Sequence, residues 1–182
     1  MKRMFASPEY ITGEEVKVTR KKLGLSQAEF GQLMGCTKMT VGRWEKSEEP
    51  IVGPITFAIY ALMNSDALSD KVLLPEMKYG LRLNYMYRQQ LCTIIDVDET
   101  HEIVEITNYR DNLMFRAFGA NTAPTYAEYL DFLESRCFPR TRDKMKIILD
   151  DLDIPFYDPM MIIEKTQGRM AEDDFWIEIE RK

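Results

Sequence analysis

The residues of this 182-residue chain best equipped for chemistry stand close together, at Lys38, Met39 and Arg43. On a helix these three fall on the face opposite Val41 and Trp44. Two cationic hydrogen-bond donors and one apolar side chain then point outward together, a set that recognises a partner without making or breaking bonds. The rest of the chain adds no catalytic constellation. Its single histidine, His101, sits next to a turn at Asp98-Glu99-Thr100, has no local Cys or His with which to hold a metal, and reads as an exposed side chain. Asp150, Asp151 and Asp153 close a predicted helix, and Glu172, Asp173 and Asp174 precede a strand. Neither group has the loop spacing of a calcium site, so both read as solvated faces. No Walker lysine loop, dinucleotide glycine pattern or nucleophile elbow occurs. The expectation is a binding protein with no catalytic residue, no metal and no cofactor.

A helix has to present that face, and local signals mark where it and its neighbours begin. Ser26 and Glu29 are spaced as a capping box, and Leu25 with Phe30 occupies the two positions of a hydrophobic staple. Gly35 ends this helix and Thr37 caps the next, predicted over Thr37–Lys46. Two or three residues between them leave only a tight turn, so the pair must cross steeply in a helix-turn-helix arrangement. Thr12 and Glu15 form another capping box, for a first helix whose Val16 and Leu23, with Leu25, pack against the pair. Gly53-Pro54 opens a further helix with Ile55, Phe57, Ile59 and Leu62 as its apolar surface.

The run Leu-Ser-Gln-Ala-Glu-Phe, a turn, and then Thr-Val-Gly-Arg-Trp-Glu resembles the signature of the XRE/Cro-repressor family of helix-turn-helix DNA-binding proteins, over roughly the first third of the chain. The resemblance implies that the second helix of the motif lies in the major groove of double-stranded DNA and presents its N-terminal residues to base edges. It assigns Lys38, Met39 and Arg43 to base contact, with Arg43 the best placed for bidentate recognition of guanine. It assigns Thr40 and Gln27 to phosphates, and lets Thr37 touch the backbone while capping the helix. Arg20, Lys21 and Lys22 would add nonspecific attraction. Simpler readings stand beside these. Met39 is equally an incidental exposed side chain, Lys21 and Lys22 complement the dipole at a solvated helix end, and Val41 and Trp44 belong to the core. Gly42 costs roughly 1 kcal/mol of helix propensity, which fits either a close backbone approach to DNA or a tolerated small residue.

Charge divides the chain. Residues 1–65 carry nine Lys and Arg against seven Glu, a surplus of +2, while the remainder carries 15 against 23, or -8. Only the first part suits an approach to phosphates. The organisation expected is a helix-turn-helix domain over 1–66, a linker over 67–79 containing polar residues and Pro75, and an α+β domain over 80–182. In the last, Leu81, Leu83, Tyr85 and Tyr87 alternate with Arg82, Asn84 and Met86 at the period of a half-buried strand. Leu91 to Val97, Ile103 to Tyr109 and Leu113 to Phe118 continue an antiparallel meander of three or four strands. Tyr126, Tyr129, Leu130 and Leu133 then recur at helical spacing after Pro124, further helices are predicted over Thr141–Leu152 and from Asp158 to about Lys165, and residues 175–179 close the domain as a strand. The fold class is thus an all-helical head followed by a small antiparallel sheet with helices.

The arginine-dense run from Arg136 to Arg142, with Arg169 beyond it, either binds an anion or an acidic partner, or pairs with neighbouring acids while Thr141 caps a helix. The order of hairpins, helices and a final Phe-Trp-Ile strand is similar in pattern to the small N-terminal subdomain of HipA-like toxin kinases, which implies a toxin-antitoxin setting and a kinase-like partner. Cys36, Cys92 and Cys137 are widely spaced and odd in number, as expected of small hydrophobes in a reducing compartment. No apolar run reaches the roughly 18 residues of a membrane span, and the first residues lack a signal-peptide core, so a cytoplasmic protein is expected. A DNA-binding regulator acting as a homodimer is the most economical reading, with an antitoxin whose second domain binds a toxin as the alternative.

Overall fold

Short polar caps and close glycine contacts shape the first part of the chain. The computed structural model describes residues 6–182, apart from the side chains of 69 and 70, and divides the chain into two compact units, Met1–Pro75 and Glu76–Lys182. The first five residues, read above for a signal sequence, lie outside the described residues.

In the first unit α1 spans Gly13–Lys22, α2 Gln27–Leu33, α3 Lys38–Glu45, α4 Pro54–Asn64 and α5 Asp66–Val72. Both expected capping boxes form. Thr12 Oγ1 accepts from the Glu15 amide and Ser26 Oγ from the Glu29 amide, while each glutamate accepts the amide of its cap residue. The staple closes as well, with Phe30 fully buried and Leu25 packed against the same core. That core collects Ile11, Val16, Leu23, Val41, Ile51, Ile59 and Leu62 from every side of the unit. Burial of each large aliphatic side chain contributes about 1.5–3 kcal/mol, which is why helices this short hold together. Two glycines permit the close crossings. A Cβ at Gly31 of α2 would stand 2.8 Å from the Cys36 carbonyl oxygen, and one at Gly13 of α1 would stand 2.5 Å from that of Trp44. The backbone before α1 is pinned to the backbone before α4 by reciprocal hydrogen bonds between Ile11 and Ile51, at 2.9 and 2.8 Å.

Three expectations in this unit are corrected. The stretch 67–79 is not a linker throughout, because most of α5 lies in it, and Val72 packs on the helical core. Phe57 does not join the apolar surface of α4 but remains 65% exposed. Lys22 is not a merely solvated helix end, since its ammonium donates to Asp66 Oδ1 at 2.7 Å and to the carbonyl of Met63, tying α1 to the start of α5.

In the second unit β1 Leu81–Tyr87, β2 Gln90–Asp98 and β3 Ile103–Asn108 form an antiparallel meander, and β4 Phe175–Arg181 returns to lie beside β1. The spatial order β3-β2-β1-β4 is that of a Greek key. Period-two alternation sends Leu81, Leu83, Tyr85, Ile95, Val97 and Ile177 to one face, where they share a core with Tyr129, Phe132 and Leu133 of α6 Tyr126–Ser135, Leu149 of α7 Met145–Asp151 and Ile162 and Ile163 of α8 Pro159–Thr166. On the other face the register pairs Arg82 with Asp96, and their 2.7 Å ion pair is almost fully buried. Leu113–Phe115 is a single 3-10 turn and not a fourth strand of the meander, because Asn112 caps it through the Met114 amide and the Ala117 amide donates to Thr93 Oγ1 instead of a ladder. Nor does a helix start at Thr141. The chain turns there, with the Arg142 amide on the Pro139 carbonyl, and passes through a left-handed Lys144 before α7 begins. Among the described residues no helix is long and apolar enough to cross a membrane, and no cluster of three or more His, Cys, Asp or Glu could hold a metal ion.

Candidate nucleic-acid interface

α3 is built to show one side. Thr37 caps it, its hydroxyl accepting from the Thr40 amide at 3.2 Å and meeting the Thr40 hydroxyl at 3.1 Å. Val41 is wholly buried and Trp44 packs on the edge of the core, so the opposite side is turned outward. Lys38 and Arg43 are exposed there, and Met39 is 84% exposed. Gly42 lies between them in helical projection and leaves the middle of that surface without a side chain. A Cβ added at Gly42 would meet only the Gln27 amide, at 3.7 and 3.8 Å, which is ordinary contact distance. Sterics therefore do not force glycine at this position.

The inner side of the same helix is locked by charge. Glu45, the last residue of α3, accepts from Arg20 Nε at 2.6 Å and from Gln27 Nε2 at 2.9 Å, and Arg20 also donates to the Leu25 carbonyl at 2.7 Å. One carboxylate thereby joins α1, α2 and α3. Burial pushes the Glu45 carboxyl up, but the hydrogen bonds from Arg20 and Gln27 outweigh it and hold the group below the ordinary glutamate value. Arg20 in turn is raised by its bond to Glu45. Glu29 is lowered by the Ser26 hydroxyl and amide of the capping box.

The six residues expected at the interface thus fall into two groups. Lys38, Met39, Arg43 and Thr37 lie on the exposed side and at the N-terminus of α3, whereas Thr40 and Gln27 are half-buried and already hydrogen-bonded within the protein. Gln27 still stands at the edge of the exposed side, against Gly42. Arg20 does not supply loose attraction as expected, because its guanidinium is largely buried against Glu45. The tie through Glu45 escaped sequence reasoning. Its one signal was a carboxylate placed a single residue after the inward-facing Trp44, where a core-facing acid needs a partner.

Residues 16–56 match a helix-turn-helix family model, and the segment is a helix-turn-helix domain of the XRE type, a DNA-binding module. No curated protein and no solved structure matches the chain.

Proposed function

We propose that the protein is a sequence-specific transcriptional repressor that regulates its own operon or a neighbouring one from the cytoplasm or nucleoid. The observation that carries this reading is the outward face of α3, where Lys38, Met39 and Arg43 project from a helix fixed on its inner side by Val41 and Glu45. Lys38 and Arg43 donate to base edges and Met39 supplies apolar contact, while Thr37, Thr40 and Gln27 serve the phosphate backbone at the helix N-terminus. One such head reads too few base pairs to find a unique site. The working form is therefore a homodimer on a palindromic operator with half-sites about 34 Å apart. The chain acts by binding and is not an enzyme.

A second reading is favoured by the charge of the second unit, where residues 76–182 carry 14 Lys and Arg against 21 Asp and Glu. A surface of that sign repels DNA and suits a basic protein, as in an antitoxin whose second unit neutralises a toxin while the head autoregulates. Selection of bound DNA from a random library with the purified chain, followed by affinity measurements at two salt concentrations, separates the two. A palindromic site, bound far better than random sequence, supports the repressor. Weak, sequence-blind and steeply salt-dependent binding, together with co-purification of an adjacent gene's product, supports the antitoxin.

A further inference from the structure

The second unit has an acid surplus, yet three arginines converge on one cleft of about 280 Å³ between the end of α6 and the turn after α8. They are not equivalent. Arg136 is buried and spent: it donates to both oxygens of Asp173 at 2.7 and 3.0 Å and twice to the Gly168 carbonyl. Arg142 and Arg169 are exposed and enter no ion pair among the described residues. Each guanidinium is instead laid near an aromatic ring, Arg142 at 6.0 Å from the centre of Phe138 and Arg169 at 4.9 Å from that of Trp176, while Arg169 Nε donates to Gln167. A contact of this kind takes up no N–H group, so those not donated to Gln167 remain available to an acceptor. Phe138, Ile162 and Met170 are among the apolar residues of the lining. Glu172 also lines the cleft, so with Arg136 neutralised by Asp173 the lining keeps a net positive charge.

We propose that this cleft binds a small organic anion, a carboxylate carrying an apolar body, with Arg142 and Arg169 on the carboxylate and Phe138, Ile162 and Met170 against the body. The lining sets apolar side chains beside a few polar groups, the combination by which small-molecule sites hold and orient a ligand. Two arginines lining one cleft recognise a carboxylate better than a neutral amide of the same shape, because charge-assisted hydrogen bonds are the stronger kind.

The test uses the full chain labelled with 15N and follows the arginine Nε–Hε resonances while 3-phenylpropionate, 3-phenylpropanamide or inorganic phosphate is added. The signals of Arg142 and Arg169 shift saturably with phenylpropionate, and binding of the amide and of phosphate is weaker by about tenfold or more. The double variant Arg142→Gln/Arg169→Gln loses binding by a similar factor with only a small drop in thermal midpoint, since neither side chain has an ionic partner to lose and each gives up one exposed ring contact. Arg140→Gln, outside the cleft, leaves affinity unchanged. Shifts that grow without saturation, equal binding of the amide, or full affinity in the double variant overturn the proposal, and phosphate binding as tight as phenylpropionate overturns the part assigned to the apolar wall. No DNA is present in the assay, so its outcome is independent of what the head binds.

Discussion

Glu45 at the end of α3 and Arg20 in α1 meet at 2.6 Å, with side chains only 7% and 14% exposed, and this contact orients the helix that carries the candidate interface. Gln27 adds its bond to the same carboxylate from α2. Removing the acid leaves Arg20 buried without a counter-charge. Glu45→Ala is expected to cost about 1.5–3 kcal/mol of stability, the range for losing a charged hydrogen-bond partner. Chemical denaturation measures it, and a loss below about 0.5 kcal/mol would show the contact to be an ordinary surface pair.

Acid should weaken the same tie. The folded-state value of Glu45 lies below its ordinary 4.5, so its contribution is complete above 4.5 and is lost as the pH falls through the folded value. The stability difference between the natural chain and Glu45→Gln is expected to shrink as the pH drops below about 4.5. A difference that stays constant through that range would mean that the carboxylate's charge plays no part.

Arg43 is exposed and makes no ion pair among the described residues, so it contributes little to folding. Arg43→Ala is expected to leave the thermal midpoint unchanged and to lower affinity for the selected operator by about 1–3 kcal/mol, with random DNA much less affected. Equal loss on both DNAs would assign Arg43 to phosphate and not to a base.

What could be read in advance was local. Ser26 with Glu29 and Thr12 with Glu15 act within one helical turn, so spacing alone reveals them. The outward grouping of Lys38, Met39 and Arg43 follows from helical period once Val41 and Trp44 are taken as core. What depended on distant partners stayed hidden. Arg20 looked like a loose cation because Glu45 lies 25 residues away. Residues 113–118 form a short, mostly apolar run of strand length, but Phe115 instead packs on the rings of Tyr87 and Phe175, a contact that no local pattern announces. Thr141 resembled a cap, yet the turn from Pro139 to Arg142 and the left-handed Lys144 delay the helix to Met145.

Gly31 shows the same limit in a form that can be tested. It sits inside α2, where alanine has the better propensity, yet its missing Cβ lets the turn before α3 approach, with the Cys36 carbonyl oxygen 2.8 Å from where that atom would be. The obstructing atoms are backbone and have no rotamer into which to retreat. Gly31→Ala is therefore expected to destabilise the first unit by about 1–3 kcal/mol, as overpacking does, and a neutral or stabilising result in thermal denaturation would show that the two helices can separate at no cost.

Gly42 presents the opposite case and separates folding from binding. It is helical and meets only the end of the Gln27 side chain, so Gly42→Ala gains propensity without a clash and is expected to stabilise the protein by about 0.5–1 kcal/mol. The same methyl group would stand in the middle of the face formed by Lys38, Met39 and Arg43. If α3 enters the major groove with its backbone close to DNA, the stabilised variant binds its operator less tightly than the natural chain. Thermal denaturation and operator titration on one preparation read both effects. Greater stability with undiminished affinity would make Gly42 a tolerated small residue and place the DNA contacts at the tips of the longer side chains, whereas lost stability would contradict the open space beside it.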